Sequence, residues 1–281
     1  MFFRSILSVD ITLPEEKLDS ALESAIKVCP DAILISLTDE KMNNSIQRER
    51  AKVAFSSISK AKIYSIAVLN HPRTRLVRSD LDAIVSADLK AVFLADVIEP
   101  QDVRDVAVLL REFELERGLI TGIINIFPII GSARSLLRAL EIASAAPRVK
   151  GLVLDIDAYA RDVRARFEQR GPRFAWARGN VVAIARSLVQ LPIIKGQDLE
   201  FRELASTGFE GAIFQDPKMT SLVNDIFEIT NTELVQARAE ISAFEQKDKG
   251  DLVARLDGSF VDEYKVRKSQ QIIDPIPQDD L

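Results

Sequence analysis

PRVKGLVLDIDA, residues 147–158, is the stretch from which the rest of the chain can be read. A buried-strand core, Gly151 to Leu154, runs into two acids, Asp155 and Asp157, and then into a helical run from Tyr159. On either side of it, short β-rich runs alternate with amphipathic helical ones, the pattern of a parallel sheet with crossover helices. Strands are expected at 4–9, 32–37, 62–69, 91–94, 121–126, 151–154, 191–194 and 211–214. Eight β-then-α units predict an α/β fold, a closed (β/α)8 TIM barrel, in which every strand ends on one rim and delivers its polar side chains there. No Gly-x-Gly-x-x-Gly follows any of these strands, which argues against an open dinucleotide-binding sheet.

The intervening helices are expected from Pro14 to Val28, Ser45 to Ile58, near Ser79 to Val85, from Pro100 to Glu116, from a Ser132 cap to Ala145, and from Asn180 to Val189. Pro128 predicts that regular pairing of the fifth strand stops before it, since proline has no N–H for the ladder. Phe167 to Arg178, with Gly171-Pro172 and the single Trp176, reads as irregular. The barrel domain is expected to span residues 1–230. Residues 231–281 read as an extension with an oligomerisation role: a helix from Thr232 to Lys247, a short strand or hairpin over 249–260, a helix from Val261 to Ile273 and a Pro-rich tail.

Composition narrows the function classes. With 47% hydrophobic and 28% charged residues, the chain has the material of a full globular core. No apolar run reaches the roughly 20 residues of a membrane span, and the opening residues lack a signal peptide's pattern, so a cytoplasmic protein without membrane association is expected. A net charge of −5 with scattered arginines gives no footprint for nucleic acid; even Arg161 to Arg178, the nearest to a basic cluster, reads as solvated helix and loop. One cysteine, Cys29, and one histidine, His71, disfavour a zinc site, so any metal would be a hard cation held by oxygen.

Strand ends carry Asp10, Asp39, Asn70 with His71, Asp96, Asp155 with Asp157, Lys195 and Asp216. On one rim these carboxylates repel unless a cation or shared protons relieve them. In an extended strand Asp155 and Asp157 share a face, which suits a magnesium ion wanting one or two carboxylates plus water. Each aspartate taken singly reads first as a helix cap or a solvated side chain, a reading harder to sustain for the group. Lys195 has two readings: a Schiff-base nucleophile if its amine is buried and neutral, or an ion pair with Asp198 three residues on. His71 can exchange protons near neutral pH, and Arg73 with Arg75 can clamp a carboxylate or phosphate, although both also read as loop residues.

Several segments carry a resemblance: RSILSV at 4–9, EIASAAPRV at 141–149, GFEGAI at 208–213 followed by Pro217, VNDIF at 223–227 and LDGSFVD at 256–262. In these the chain resembles the citrate lyase beta-subunit-like branch of the HpcH/HpaI aldolase family. The resemblance implies a TIM barrel, a trimeric or hexameric homo-oligomer or a complex with a paralogue, and magnesium-assisted making or breaking of carbon–carbon bonds in CoA thioesters or oxo acids.

It also implies where that chemistry should sit. The family's metal-binding Glu falls on Gly131 of Gly131-Ser-Ala-Arg134, and its second metal ligand, an Asp, falls on Ala158. Its substrate-binding Arg falls on Val68, its Pro-Lys on Ala95-Asp96, and its His on Asp216. Arg134 joins Asn70, His71 and Arg73 as candidate contacts for a small anionic ligand or CoA thioester. Two expectations follow. Either the ancestral activity is lost and the barrel is a structural or regulatory partner of an active paralogue, or the mouth is rebuilt around Asp96, Asp155, Asp157, Asp216 and Lys195 and an altered lyase survives.

Overall fold

The computed structural model describes residues 3–38, 44–165, 174–197, 199–247 and 250–273. It divides into two compact units, Phe3–Ile226 and a second made mainly of Phe227–Leu281. In the first, β1 (Ser5–Val9), β2 (Ala32–Ser36), β3 (Tyr64–Leu69), β4 (Leu89–Leu94), β5 (Asn125–Ile130), β6 (Gly151–Asp155), β7 (Leu191–Lys195) and β8 (Gly211–Phe214) form a closed barrel in sequence order. All neighbours are parallel, and β8 closes onto β1 in the register Ser5↔Ala212, Ile6↔Ile213, Leu7↔Phe214. The expected (β/α)8 barrel is therefore present.

Helices α1 (Glu15–Lys27), α2 (Asn44–Lys60), α3 (Leu76–Ile84) and α4 (Pro100–Glu116) fall where the sequence pattern places them. Their apolar stripes face the barrel, as Val103, Val106, Leu110 and Phe113 of α4 do. Inside, Phe93 packs against Phe127 in a tilted pair with ring centroids 5.1 Å apart, and Phe127 lies 5.8 Å from Phe3. This aromatic column fills the barrel from the N-terminal end and makes the interior a packed core rather than a pore.

Four expectations change. The fifth strand begins at Asn125 and runs through Pro128, which pairs with Leu94. Residues expected as strand, 121–124, are instead a turn. The Glu114 carboxylate accepts the N–H groups of Gly122 and Ile124 at 2.8 and 3.1 Å, and Gly122 takes a φ of +89°. Pro128 is tolerated because the ladder between β5 and β6 is interrupted there, passing from Ile126↔Val149 to Ile129↔Val153. The helix expected from Ser132 to Ala145 is two short ones, α5 (Ala133–Leu137) and α6 (Ala139–Ala143), although Ser132 does cap the first by accepting the Ser135 N–H. After β6 comes α7 (Ile156–Asp162); α8 (Ala175–Ser187) begins earlier than expected and takes in Trp176. Helices α9 (Phe201–Thr207) and α10 (Thr220–Ile226), which the sequence pattern did not single out, follow β7 and β8.

The second unit contains α11 (Asn231–Glu245), the hairpin β9 (Ala254–Leu256) and β10 (Ser259–Val261), and α12 (Glu263–Ile273). Thr230 and Glu233 close a capping box at the start of α11. Asp257 and Gly258, with φ of +49° and +80°, form the tight turn that an Asp-Gly pair favours in a two-residue hairpin. Helices α11 and α12 are tied through buried Glu240, which accepts the Ser269 hydroxyl at 2.5 Å and lies 3.2 Å from Lys265 Nζ. The Pro-rich tail lies outside the described residues, as does Asp39.

Candidate functional site

At the C-terminal ends of the strands lies a cavity of about 900 Å³. Phe93, the top of the aromatic column, forms part of its floor, with Val68, Ile129 and Ile213 on its apolar wall. Asp96, Asp155, Asp157, Lys195 and Asp216, all five candidates for chemistry, line it. The barrel explains this convergence, because each ends or follows a different strand or opens the helix after β6.

Asp155 is the last residue of β6 and is buried. Its Oδ1 caps α7 by accepting the Ala158 N–H at 2.9 Å, and its Oδ2 accepts from Lys195 Nζ at 2.7 Å. The sheet itself brings this pair together, since Asp155 and Lys195 are register partners on β6 and β7. Of the two readings of Lys195, the contact matches an ion pair, with Asp155 as its partner. Asp198, the partner suggested by sequence distance, lies outside the described residues.

Asp157 does not share an extended strand with Asp155. The chain turns helical at Ile156 because the Asp155 side chain caps it there, so Asp157 sits in the first turn of α7. Its Oδ2 accepts the Gln197 N–H at 2.8 Å, while its Oδ1 is buried with no hydrogen-bond partner among the described residues. Asp96 is exposed with a φ of +54°, a left-handed conformation that aspartate tolerates better than most residues. Asp216 caps the turn after β8 by accepting the Lys218 N–H at 3.0 Å. Asp10 likewise accepts the Thr12 N–H, at 2.8 Å.

The candidate ligand contacts fall elsewhere. Asn70 donates to the Leu37 carbonyl and to Asp80 Oδ2, at 2.9 and 2.8 Å. His71 Nδ1 accepts the Arg73 N–H at 3.1 Å, and its Nε2 is 3.9 Å from Asp102 Oδ2. Arg73 donates to Asp102 Oδ1 at 2.9 Å and also pairs with Glu99. Burial works against the charge of Asp102, but the N–H groups of Ile98 and Glu99 and the Arg73 guanidinium together hold its carboxyl below the usual range. Arg134 is exposed on α5. None of these four lines the cavity. Arg161 of α7 does, a cation that sequence reading placed only within a solvated basic cluster.

The profile of the HpcH/HpaI aldolase/citrate lyase family matches residues 17–192, more than half of the chain. The chain belongs to this family. Among HpcH/HpaI relatives, the citrate lyase subunit beta of Leuconostoc mesenteroides subsp. cremoris is 26% identical over 73% of this chain and 71% of its own. A (3S)-malyl-CoA thioesterase of Cereibacter sphaeroides is 26% identical over 96% of this chain and 93% of its own. The Mycobacterium tuberculosis protein CitE, solved with magnesium, acetoacetate and coenzyme A, superposes with a TM-score of 0.58 at 16% identity, covering 97% of both chains.

The two positions to which the HpcH/HpaI resemblance assigns metal ligands meet at the cavity. A Cβ built on Gly131 would lie 2.9 Å from the Ala158 Cβ and 3.7 Å from the Asp155 Cβ. Neither position carries an oxygen ligand on its side chain. The nearest carboxylate, Asp155, has one oxygen on a backbone N–H and the other on an ammonium. Among the described residues, no three His, Cys, Asp or Glu side chains are grouped to hold a metal. A magnesium ion needs hard oxygen donors free of competing cations, so the donor set at this point does not fit one. Val68, where the resemblance places a substrate arginine, is part of the apolar wall.

Proposed function

We propose that this HpcH/HpaI family member no longer performs magnesium-dependent carbon–carbon cleavage, and that its barrel mouth binds a small carboxylate or 2-oxo acid, free or within a CoA thioester. One observation carries the reading: an open cavity persists at the mouth, while Asp155, its most buried acid, is committed to Lys195 and to the start of α7. Without a Lewis acid at the carbonyl, the metal's stabilisation of the enolate on which such cleavage depends is missing at this point. Citrate lyase and malyl-CoA thioesterase among the relatives suggest the ligand class. The second unit, with its own helix pair and hairpin, is proposed as the oligomerisation element.

Two measurements test the reading. Purified full-length protein given a citryl- or malyl-type CoA thioester is expected to release no product above background with or without magnesium; cleavage that appears only with magnesium would overturn it. Calorimetric titration with magnesium or manganese is expected to give no saturable heat at millimolar metal. Saturable binding abolished by Asp155→Asn would reveal instead a rebuilt metal site.

A further inference from the structure

We propose that the Lys195 ammonium replaces the divalent cation at the barrel mouth and is the group that grips a carboxylate or carbonyl oxygen of the ligand. The inference rests on the mouth being a ligand site, and adds which residue supplies the charge.

Position is the first argument. Lys195 Nζ contacts Asp155 Oδ2, and Asp155 Oδ1 contacts the Ala158 N–H. The Gly131 and Ala158 positions meet each other and the Asp155 Cβ. A single carboxylate therefore links the ammonium to both positions to which the resemblance assigns metal-binding acids. The fixed positive charge sits beside those positions, supplied by the chain itself.

Valence and access are the second. An ammonium has three donors and no acceptor. One is used by Asp155, and the Lys195 side chain remains 46% exposed, with the residue on the cavity lining. Asp155, only 10% exposed and fixed by the end of β6 and the cap of α7, holds the flexible lysine stem in one direction. A preorganised ammonium with two N–H groups unengaged among the described residues can take both oxygens of a 2-oxo acid's carboxylate and ketone edge, while Val68, Phe93 and Ile129 supply apolar lining.

The rim sets a limit on ligand charge. Asp96 and Asp216 are exposed acids on the lining, and Asp157 adds a third carboxylate; Arg161 is the only other cationic side chain there among the described residues. Exposed charges are screened over about 10 Å at 0.1 M salt, so the direct contact outweighs them for a monoanion, but repulsion accumulates for ligands with several charges. The geometry therefore favours a short 2-oxo monocarboxylate.

The test is calorimetric binding of pyruvate to the full-length protein in EDTA, with Lys195→Met and Lys195→Arg beside the wild type. Wild type is expected to bind without added metal. Lys195→Met should weaken binding about ten- to hundredfold, the usual scale for a hydrogen bond to a charged group; Lys195→Arg should retain most of it. Thermal melts confirm that each variant is folded. If Lys195→Met does not fold, acetylation of the wild-type lysines by acetic anhydride, run with and without pyruvate and read by peptide mass mapping, provides the second measurement, with protection of Lys195 expected. Equal binding by wild type and folded Lys195→Met, absence of protection, or pyruvate binding that requires magnesium would overturn the role of Lys195 while leaving a ligand site at the mouth. No binding of pyruvate or oxaloacetate by wild type, with or without magnesium, would overturn the ligand site itself.

Discussion

Gly211→Ala is expected to leave little folded protein. A Cβ at this position would lie 1.8 Å from the Phe3 carbonyl oxygen, 3.0 Å from the Phe3 carbonyl carbon and 3.2 Å from the Arg4 oxygen. These are backbone atoms, so no side-chain rotation relieves the clash. The segment in the way leads directly into β1, and β1 closes the barrel on β8 through Ser5↔Ala212 and the Ala212 N–H to Arg4 carbonyl bond of 2.9 Å. Moving Phe3 also disturbs its ring contacts with Phe127 and Tyr64. Overpacking in a well-packed core costs about 1–3 kcal/mol and more where backbone must move, and here the displaced backbone is the closure seam. About 3 kcal/mol or more is expected, read by urea denaturation, or as loss of soluble protein. Gly179→Ala is the control. It sits in α8 with nothing within 4 Å of a new Cβ, so it should be neutral or stabilising by about 0.5–1 kcal/mol. Gly211→Ala within about 0.5 kcal/mol of wild type would show that the seam yields and that the argument from close approach fails.

That seam belongs to the part of the molecule most legible in the sequence. Strands buried on both faces are continuous apolar runs, which is why β8 at Gly211–Phe214 coincides with its expected range and β6 differs by one residue. Legibility failed where distant side chains decide local structure. Residues 121–124 are apolar enough for a strand, but Glu114, which lies in another element, captures two of their N–H groups. Alternation placed Asp155 and Asp157 on one strand face; the cap made by Asp155 bends the chain into a helix between them. Of the strand-end acids, Asp96, Asp155, Asp157 and Asp216 line one cavity because chain order alone brings them there, whereas Asp10 does not line it and Asp39 lies outside the described residues. Their partners were not legible, since Asp155 finds Lys195 across 40 positions and Asn70 finds Asp80 behind the rim. Spacing in sequence suggested Asp198, which lies outside the described residues; the Asp155 contact of Lys195 comes instead from register in the sheet.

Glu114→Ala is expected to cost about 3–5 kcal/mol, the range for breaking a buried ion pair by removing one partner. The Glu114 side chain is fully buried and Arg148 is 10% exposed. Two parallel bonds join them, Nη1 to Oε1 at 3.0 Å and Nη2 to Oε2 at 2.9 Å. The same carboxylate accepts the N–H groups of Gly122 and Ile124, while Arg148 Nη1 also donates to the Ile124 carbonyl at 3.0 Å. Removing the carboxylate would strand a largely buried guanidinium and two N–H donors, and would release the turn that sets where β5 begins. Glu114→Gln keeps the shape but offers one acceptor oxygen, so a smaller loss is expected. Linkage to pH gives an independent check. Burial opposes the charge of Glu114, but the Arg148 hydrogen bonds, the two backbone N–H groups and the Arg148 charge overcome it and hold the carboxyl below its ordinary value of 4.5. A carboxyl with a depressed folded-state value contributes its full stability above the unfolded-state value and loses it as pH falls through the folded one. Wild type should therefore lose stability on acidification below about pH 4.5, and the difference between wild type and Glu114→Gln should narrow over the same interval. Denaturation curves at pH 7 and at successive points below pH 5 would show it. A difference that stays constant down to the acid limit of the fold would mean that Glu114 holds the turn by shape and not by charge.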